Sequence, residues 1–130
     1  MPGCVLRVSG THFEPQRFLD RSPFTPCNIF REGEPRSQTS QWNSSGFTVV
    51  VSEDSGTDLE SQVRDALSFL RVNKEELLRL RSCEGVTDVR LDFGLSKRKG
   101  FVQCNYLPPE LLELAGGLKV GIEVSIYGED

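Results

Sequence analysis

The chain is expected to be an α+β protein: a mostly antiparallel sheet of about six strands, with one long amphipathic helix and two short crossover helices packed on it. Three observations carry that expectation. Segments that alternate apolar and polar residues recur along the chain, most strictly in "VTDVRLDFGL" and "LKVGIEVSIY". One stretch, from Leu59 to Leu70, places its apolar residues at helical spacing. At each end of the chain a strand is followed by a short proline-initiated helix and a further strand. The length of 130 residues fits one domain, 1–130, with enough core to fold without a disulfide or a metal.

Cys4 to Ser9 alternates as a strand, and Gly10 ends it. Pro15 sits where a first helical turn tolerates proline, so a short helix is expected at about residues 14–21. "TPCNIFR", Thr25 to Arg31, reads as extended, with Pro26 marking a strand start or an edge. A long connection follows, "REGEPRSQTSQWNSSG", with turn signals at Gly33 and Pro35. "GFTVVVS", Gly46 to Ser52, is β-branched and reads as a strand that shares Phe47, Val49 and Val51 on one face.

Thr57 is expected to cap the long helix, with Glu60 reaching back to it. Leu59, Val63, Ala66, Leu67 and Leu70 form its apolar stripe. Asn73 is placed to cap a continuation through Leu77, Leu78 and Leu80, and Gly85 to stop it. In the next strand Val89, Leu91 and Phe93 face inward while Asp88, Arg90 and Asp92 face water. "SKRKG" reads as a hairpin tip and "FVQCNYL" as the returning partner strand. Pro108 and Pro109 open a helix, "PPELLELA", closed by Gly116 and Gly117. The last strand turns Leu118, Val120, Ile122, Val124 and Ile126 inward.

The segments "FEPQRFL", "FREGEPR" and the following Trp, the leucine-striped helix and the closing "LPPELLELAGGLKVGIEVSIY" together resemble a family of small bacterial α+β domains of unknown function. The resemblance spans about residues 5–127, departing at Leu19-Asp20 and the "RSPFTP" that follows. It implies the fold. It implies no catalytic activity, cofactor or substrate. Domains of this type include suspected toxin-neutralising immunity proteins, and the resemblance extends to that role only by type.

The chemistry-bearing residues are sparse. The net charge of -4 opposes non-specific nucleic-acid binding. No run of apolar residues is long enough for a membrane span, and "MPGCVLRVSGTHF" reads as a strand and not as a leader. A cytoplasmic location is expected, with no membrane partner. Asn43-Ser44-Ser45 matches a glycosylation pattern, coincidental without a secretion signal. Cys4, Cys27, Cys83 and Cys104 are too dispersed for a zinc site and read as reduced, mostly buried thiols. His12, the single histidine, reads as a surface residue after a strand. Glu53, Asp54 and Asp58 precede the long helix, where negative charge complements its N-terminus; their spacing does not fit a calcium loop. No metal and no cofactor is expected. Lys97, Arg98 and Lys99 form one basic run, which reads as a solvated tip, and no nucleic-acid partner is expected.

Arg31, Arg36 and Trp42 are the candidate binding residues, because Arg and Trp dominate interaction hot spots and this is the only tryptophan. The competing account packs the Trp42 ring over the sheet or against the long helix as scaffold. The expected function is a non-enzymatic protein-interaction domain, in its sharpest form an immunity-type inhibitor. Acidic residues Asp88, Asp92, Glu110, Glu113 and Glu129-Asp130 are placed to meet a basic partner. The alternative is a small-ligand binder or cryptic enzyme with a pocket between sheet and helix. Oligomeric state is not encoded in any feature above.

Overall fold

The structure, a computed structural model, describes residues 3–128. Its elements are β1 (Gly3–Gly10), α1 (Pro15–Leu19), β2 (Asn28–Phe30), β3 (Ser45–Ser52), α2 (Leu59–Val72), α3 (Lys74–Arg81), β4 (Asp88–Ser96), α4 (Pro109–Gly117) and β5 (Gly121–Tyr127). The α+β class holds, but among the described residues the sheet is mixed and has five strands, in the order β2-β3-β1-β4-β5. β2, β3, β1 and β4 pair antiparallel in turn, and β5 joins β4 in parallel.

The sixth strand expected at "FVQCNYL" does not form. β1 occupies one side of β4, so a single edge remains, and β5 takes it. β5 arrives with Ile122, Val124 and Ile126 in alternation, whereas residues 101–107 run into Pro108 and Pro109. That segment is pinned by a side chain instead: Gln103 accepts from the Arg98 N–H at 2.9 Å and donates to the Ser96 carbonyl at 3.2 Å. "SKRKG" is therefore the start of a long connection and not a hairpin tip.

The helices cover one face of the sheet. Cys4, Leu6 and Val8 of β1, Phe47 and Val49 of β3, and Leu91 and Phe93 of β4 point into that layer, where they meet Val63, Ala66 and Leu70 of α2, Leu77 and Leu80 of α3 and Leu111 and Ala115 of α4. The register slips between Cys4 and Val5, so that one extra residue of β3 bulges and Ser52 turns to the helix side. There its hydroxyl donates to Asp65 at 2.7 Å. Burial, helped by the charges of Asp92 and Asp65, pushes the Cys4 thiol far up, which makes it inert. Cys27 and Cys104 are exposed, contrary to the expectation of mostly buried thiols.

Helix boundaries shift where local hydrogen bonds decide them. Asp58, not Thr57, caps α2: its carboxylate accepts the Ser61 N–H at 3.0 Å, while the Thr57 hydroxyl pairs with Ser55 at 2.7 Å. Asn73 divides the long helix in two; its amide donates back to the Phe69 carbonyl at 3.0 Å, closing α2. α1 is shorter than expected, five residues. Gly85, at φ 89°, lies beyond the end of α3, and a side chain there would press to 2.8 Å on His12 and Phe13 backbone atoms. Buried Gln62 ties the 53–56 turn to β4, donating to the carbonyls of Asp54, Ser55 and Gly94 at 3.2, 3.2 and 3.0 Å.

Arg79 fastens α1 to α3. Its guanidinium lies 3.9 Å over the Phe18 ring, donates to the Phe18 carbonyl at 3.3 Å and pairs with Glu76 at 2.6 Å. Ser22 donates to the same carboxylate at 2.6 Å. Partial burial pulls the Glu76 pKa up, but the hydrogen bonds from Arg79 and Ser22 outweigh it and hold the pKa below the ordinary Glu value. A carboxylate depressed in the folded state stabilises above its unfolded pKa, and that contribution disappears as the pH falls through the folded one. Glu76→Gln should therefore lower stability at neutral pH and flatten the acid limb below pH 4.5. Chemical denaturation at a series of pH values checks this, and parallel curves for the two proteins would contradict it.

Candidate functional site

Among the described residues, no helix packs on the other face of the sheet. Alternation alone puts Val5 and Arg7 of β1, Thr48 of β3, Asp92 and Gly94 of β4 and Tyr127 of β5 on it. On β2, Ile29 packs into the helix-side core, so Asn28 and Phe30 belong to the open face.

The connection from Arg31 to Ser44 folds back over this face as a small hairpin. The Gly33 N–H donates to the Trp42 carbonyl at 2.8 Å, the Trp42 N–H to Glu34 at 2.9 Å, and the Arg36 N–H to Ser40 at 3.0 Å. Gly33 reaches φ 88°, a conformation that favours glycine. Ser37 and Ser40 close the tip through their hydroxyls at 2.8 Å. The hairpin stacks Trp42 on Phe30 at 4.1 Å between ring centroids, and the Arg36 guanidinium lies 4.7 Å over the indole. Gly46 makes room beneath: a Cβ there would lie 2.6 Å from the Phe30 ring and overlap the Val8 carbonyl.

Between the hairpin and β5 lies a recess of about 360 Å³, with Arg36, Trp42 and Phe30 on one side and Tyr127 on the other. Arg7 and Asp92 form its polar floor. Arg7 pairs with Asp92 at 3.2 Å and with Glu123 at 3.4 Å; Arg90 binds the same Glu123 at 3.3 Å and Asp88 at 2.7 Å. Ser125 donates to Asp92 at 2.7 Å. Asp92 was expected to face water, yet only 4% of it is exposed, because this network and the recess walls close around it. The hydrogen bond to Asp88 holds the Arg90 guanidinium above its ordinary pKa against the pull of partial burial, with Glu123 adding to it. The surface thus offers aromatic faces beside guanidinium groups already oriented by carboxylates, an arrangement suited to gripping a polar or planar group.

Of the three candidate residues, Arg36 and Trp42 come together at the recess. Arg31 does not line it; it is exposed and its carbonyl accepts the Glu34 N–H at 3.0 Å in the turn that opens the hairpin. Trp42 is half-buried, over the open face and not against the long helix. Sequence reasoning missed Arg7 and Tyr127, and it put Asp92 in an acidic surface patch and not in a recess. The signal for Arg7 was present: it is the charged residue in "CVLRVS", on the face opposite Leu6 and Val8.

Several of the remaining candidates have structural partners. Asp54 accepts from the Ser61 hydroxyl and Asp58 caps α2. Among the described residues no cluster of three potential metal ligands occurs. Arg98 donates to the Cys104 carbonyl at 3.3 Å within its own loop. Of the expected acidic residues, Asp88, Asp92 and Glu110 are each paired with an arginine. Glu129 and Asp130 lie outside the described residues. No described helix is long and apolar enough to cross a membrane. No curated protein and no solved structure matches the chain. A family model does, over residues 2–129, and the chain belongs to that family: the domain of unknown function DUF4279.

Proposed function

We propose that this chain is a non-catalytic binding domain that holds a partner protein against the uncovered face of its sheet. The observation that carries the reading is the recess, a hollow whose walls include Trp42, Tyr127 and Arg36, residue types that dominate protein hot spots. The hairpin holds Trp42 and Arg36 in place before any partner arrives, which lowers the ordering cost of binding. Immunity-type inhibition, in which the partner is a toxin blocked by complementarity, is the finer form of this proposal.

The test compares variants on the two faces of the sheet. A partner identified by capture on the wild-type domain should lose at least ~30-fold in affinity with Trp42→Ala or Arg36→Glu, a hot-spot effect. Glu75→Lys, on the exposed side of α3, should leave affinity within about 3-fold. Equal effects from both faces, with circular dichroism unchanged, would remove the recess from the binding surface. Because Trp42 is the only tryptophan, its emission reports occupancy directly.

The recess volume also favours a second reading, a small-ligand site, since it falls within the size range of ligand pockets. Such a site lies on the open face and not between sheet and helix, where Leu6, Phe47, Leu70 and Phe93 fill the interlayer. Mass spectrometry of the gently purified and then denatured protein should in that case release a bound compound that Arg36→Glu no longer retains.

A further inference from the structure

Among the described residues, β5 is an edge strand with none of the usual protection. Natural edges are blunted by lysines, prolines, bulges or shortness. The opposite edge, β2, follows that pattern: it has three residues and Pro26 just before it. β5 has seven residues, contains no proline or lysine, and runs in unbroken register against β4. Its one charge, Glu123, is drawn over the open face to Arg7 and Arg90 and so does not guard the edge. On the helix side, Val124 and Ile126 were expected to be buried but are 37% and 52% exposed, because the helix layer stops short of them. Phe101 and Val102, also exposed, belong to the loop anchored through Gln103 to Ser96, the β4 partner of Tyr127.

We propose that this edge pairs with the β5 of a second copy of the chain, antiparallel and about a two-fold axis at Val124, giving a sheet continuous through both copies. Self-pairing fits the residues. With Val124 opposite Val124, Ile122 of each copy faces Ile126 of the other on the helix side. On the open face Glu123 meets Ser125 of the second copy and Tyr127 meets Gly121, so no like charges oppose and the recess beside Tyr127 stays open. A slip that centres the axis on Glu123 would set two carboxylates against each other, which disfavours that register.

Sedimentation equilibrium of the full chain should show a concentration-dependent dimer. Val124→Lys and Val124→Glu should each weaken it at least ~10-fold, because each places like charges on the axis. Mixing the two variants should restore a dimer as a one-to-one heterodimer, which separates a repelled interface from a misfolded chain. A wild-type protein that stays monomeric at every concentration, or a dimer that Val124→Lys leaves intact, would overturn the proposal.

Discussion

Replacing Phe47 by alanine should destabilise the fold by about 3–5 kcal/mol, the range for deleting a buried aromatic ring and leaving a cavity. Phe47 has no exposed surface and stands at the middle of an aromatic cluster. The rings of Phe13, Phe18 and Phe24 lie 6.2, 5.9 and 6.4 Å from it, and Phe24 reaches on to Phe69 of α2 at 5.7 Å. These neighbours come from the chain after β1, from α1, from the connection before β2 and from the long helix. No one of them can close the hole without breaking its own packing, so relaxation recovers little. Guanidinium unfolding measures the effect, and Val50→Ala, on an exposed site of the same strand, should cost less than about 0.5 kcal/mol. A loss below about 1.5 kcal/mol for Phe47→Ala would mean that the cluster collapses or that Phe47 is not its centre.

Arg7→Met should cost about 2–4 kcal/mol, more than a surface ion pair because one partner is buried. Arg7 keeps 40% of its side chain in solvent, but the Asp92 side chain keeps only 6%. Methionine preserves the packing of the stem and removes the charge, so Asp92 keeps only the Ser125 hydroxyl. Glu123 retains Arg90 and suffers less. The double variant Arg7→Met/Asp92→Leu should recover part of the loss, with a coupling energy of at least ~1 kcal/mol. Additive losses would show that water satisfies Asp92 without Arg7. The same variant strips the floor of the recess, so under the proposed binding role affinity should fall alongside stability; unchanged affinity would place recognition higher, at Trp42 and Arg36.

Much of this site was legible in residue types but not in arrangement. Arg36 and Trp42 stand out in a polar segment by chemistry alone. That Trp42 rests on Phe30, and that the segment is a hairpin and not a structureless loop, depends on backbone bonds such as Gly33 to Trp42, which composition does not reveal. Asp92 is more instructive. Its alternation marks it correctly as opposite to Leu91 and Phe93, yet the face it occupies is half covered. Period-two alternation distinguishes the two sides of a strand; it does not say what lies above either side.

From the sequence alone follow the α+β class, the alternating strands, the leucine-striped helix and the proline-led starts of α1 and α4. These depend on contacts within about one helical turn or two strand positions, where propensity and periodicity act directly. Only the tertiary structure decided the partner of β4, the parallel entry of β5 and the burial of Asp92. It also decided the folding of the 31–44 hairpin onto the uncovered face. Residues 101–107 and 121–127 are both extended-compatible and both lie within reach of one free edge. The choice between them turns on the total burial each competitor achieves across the assembled sheet, an energy that no local stretch of the chain contains.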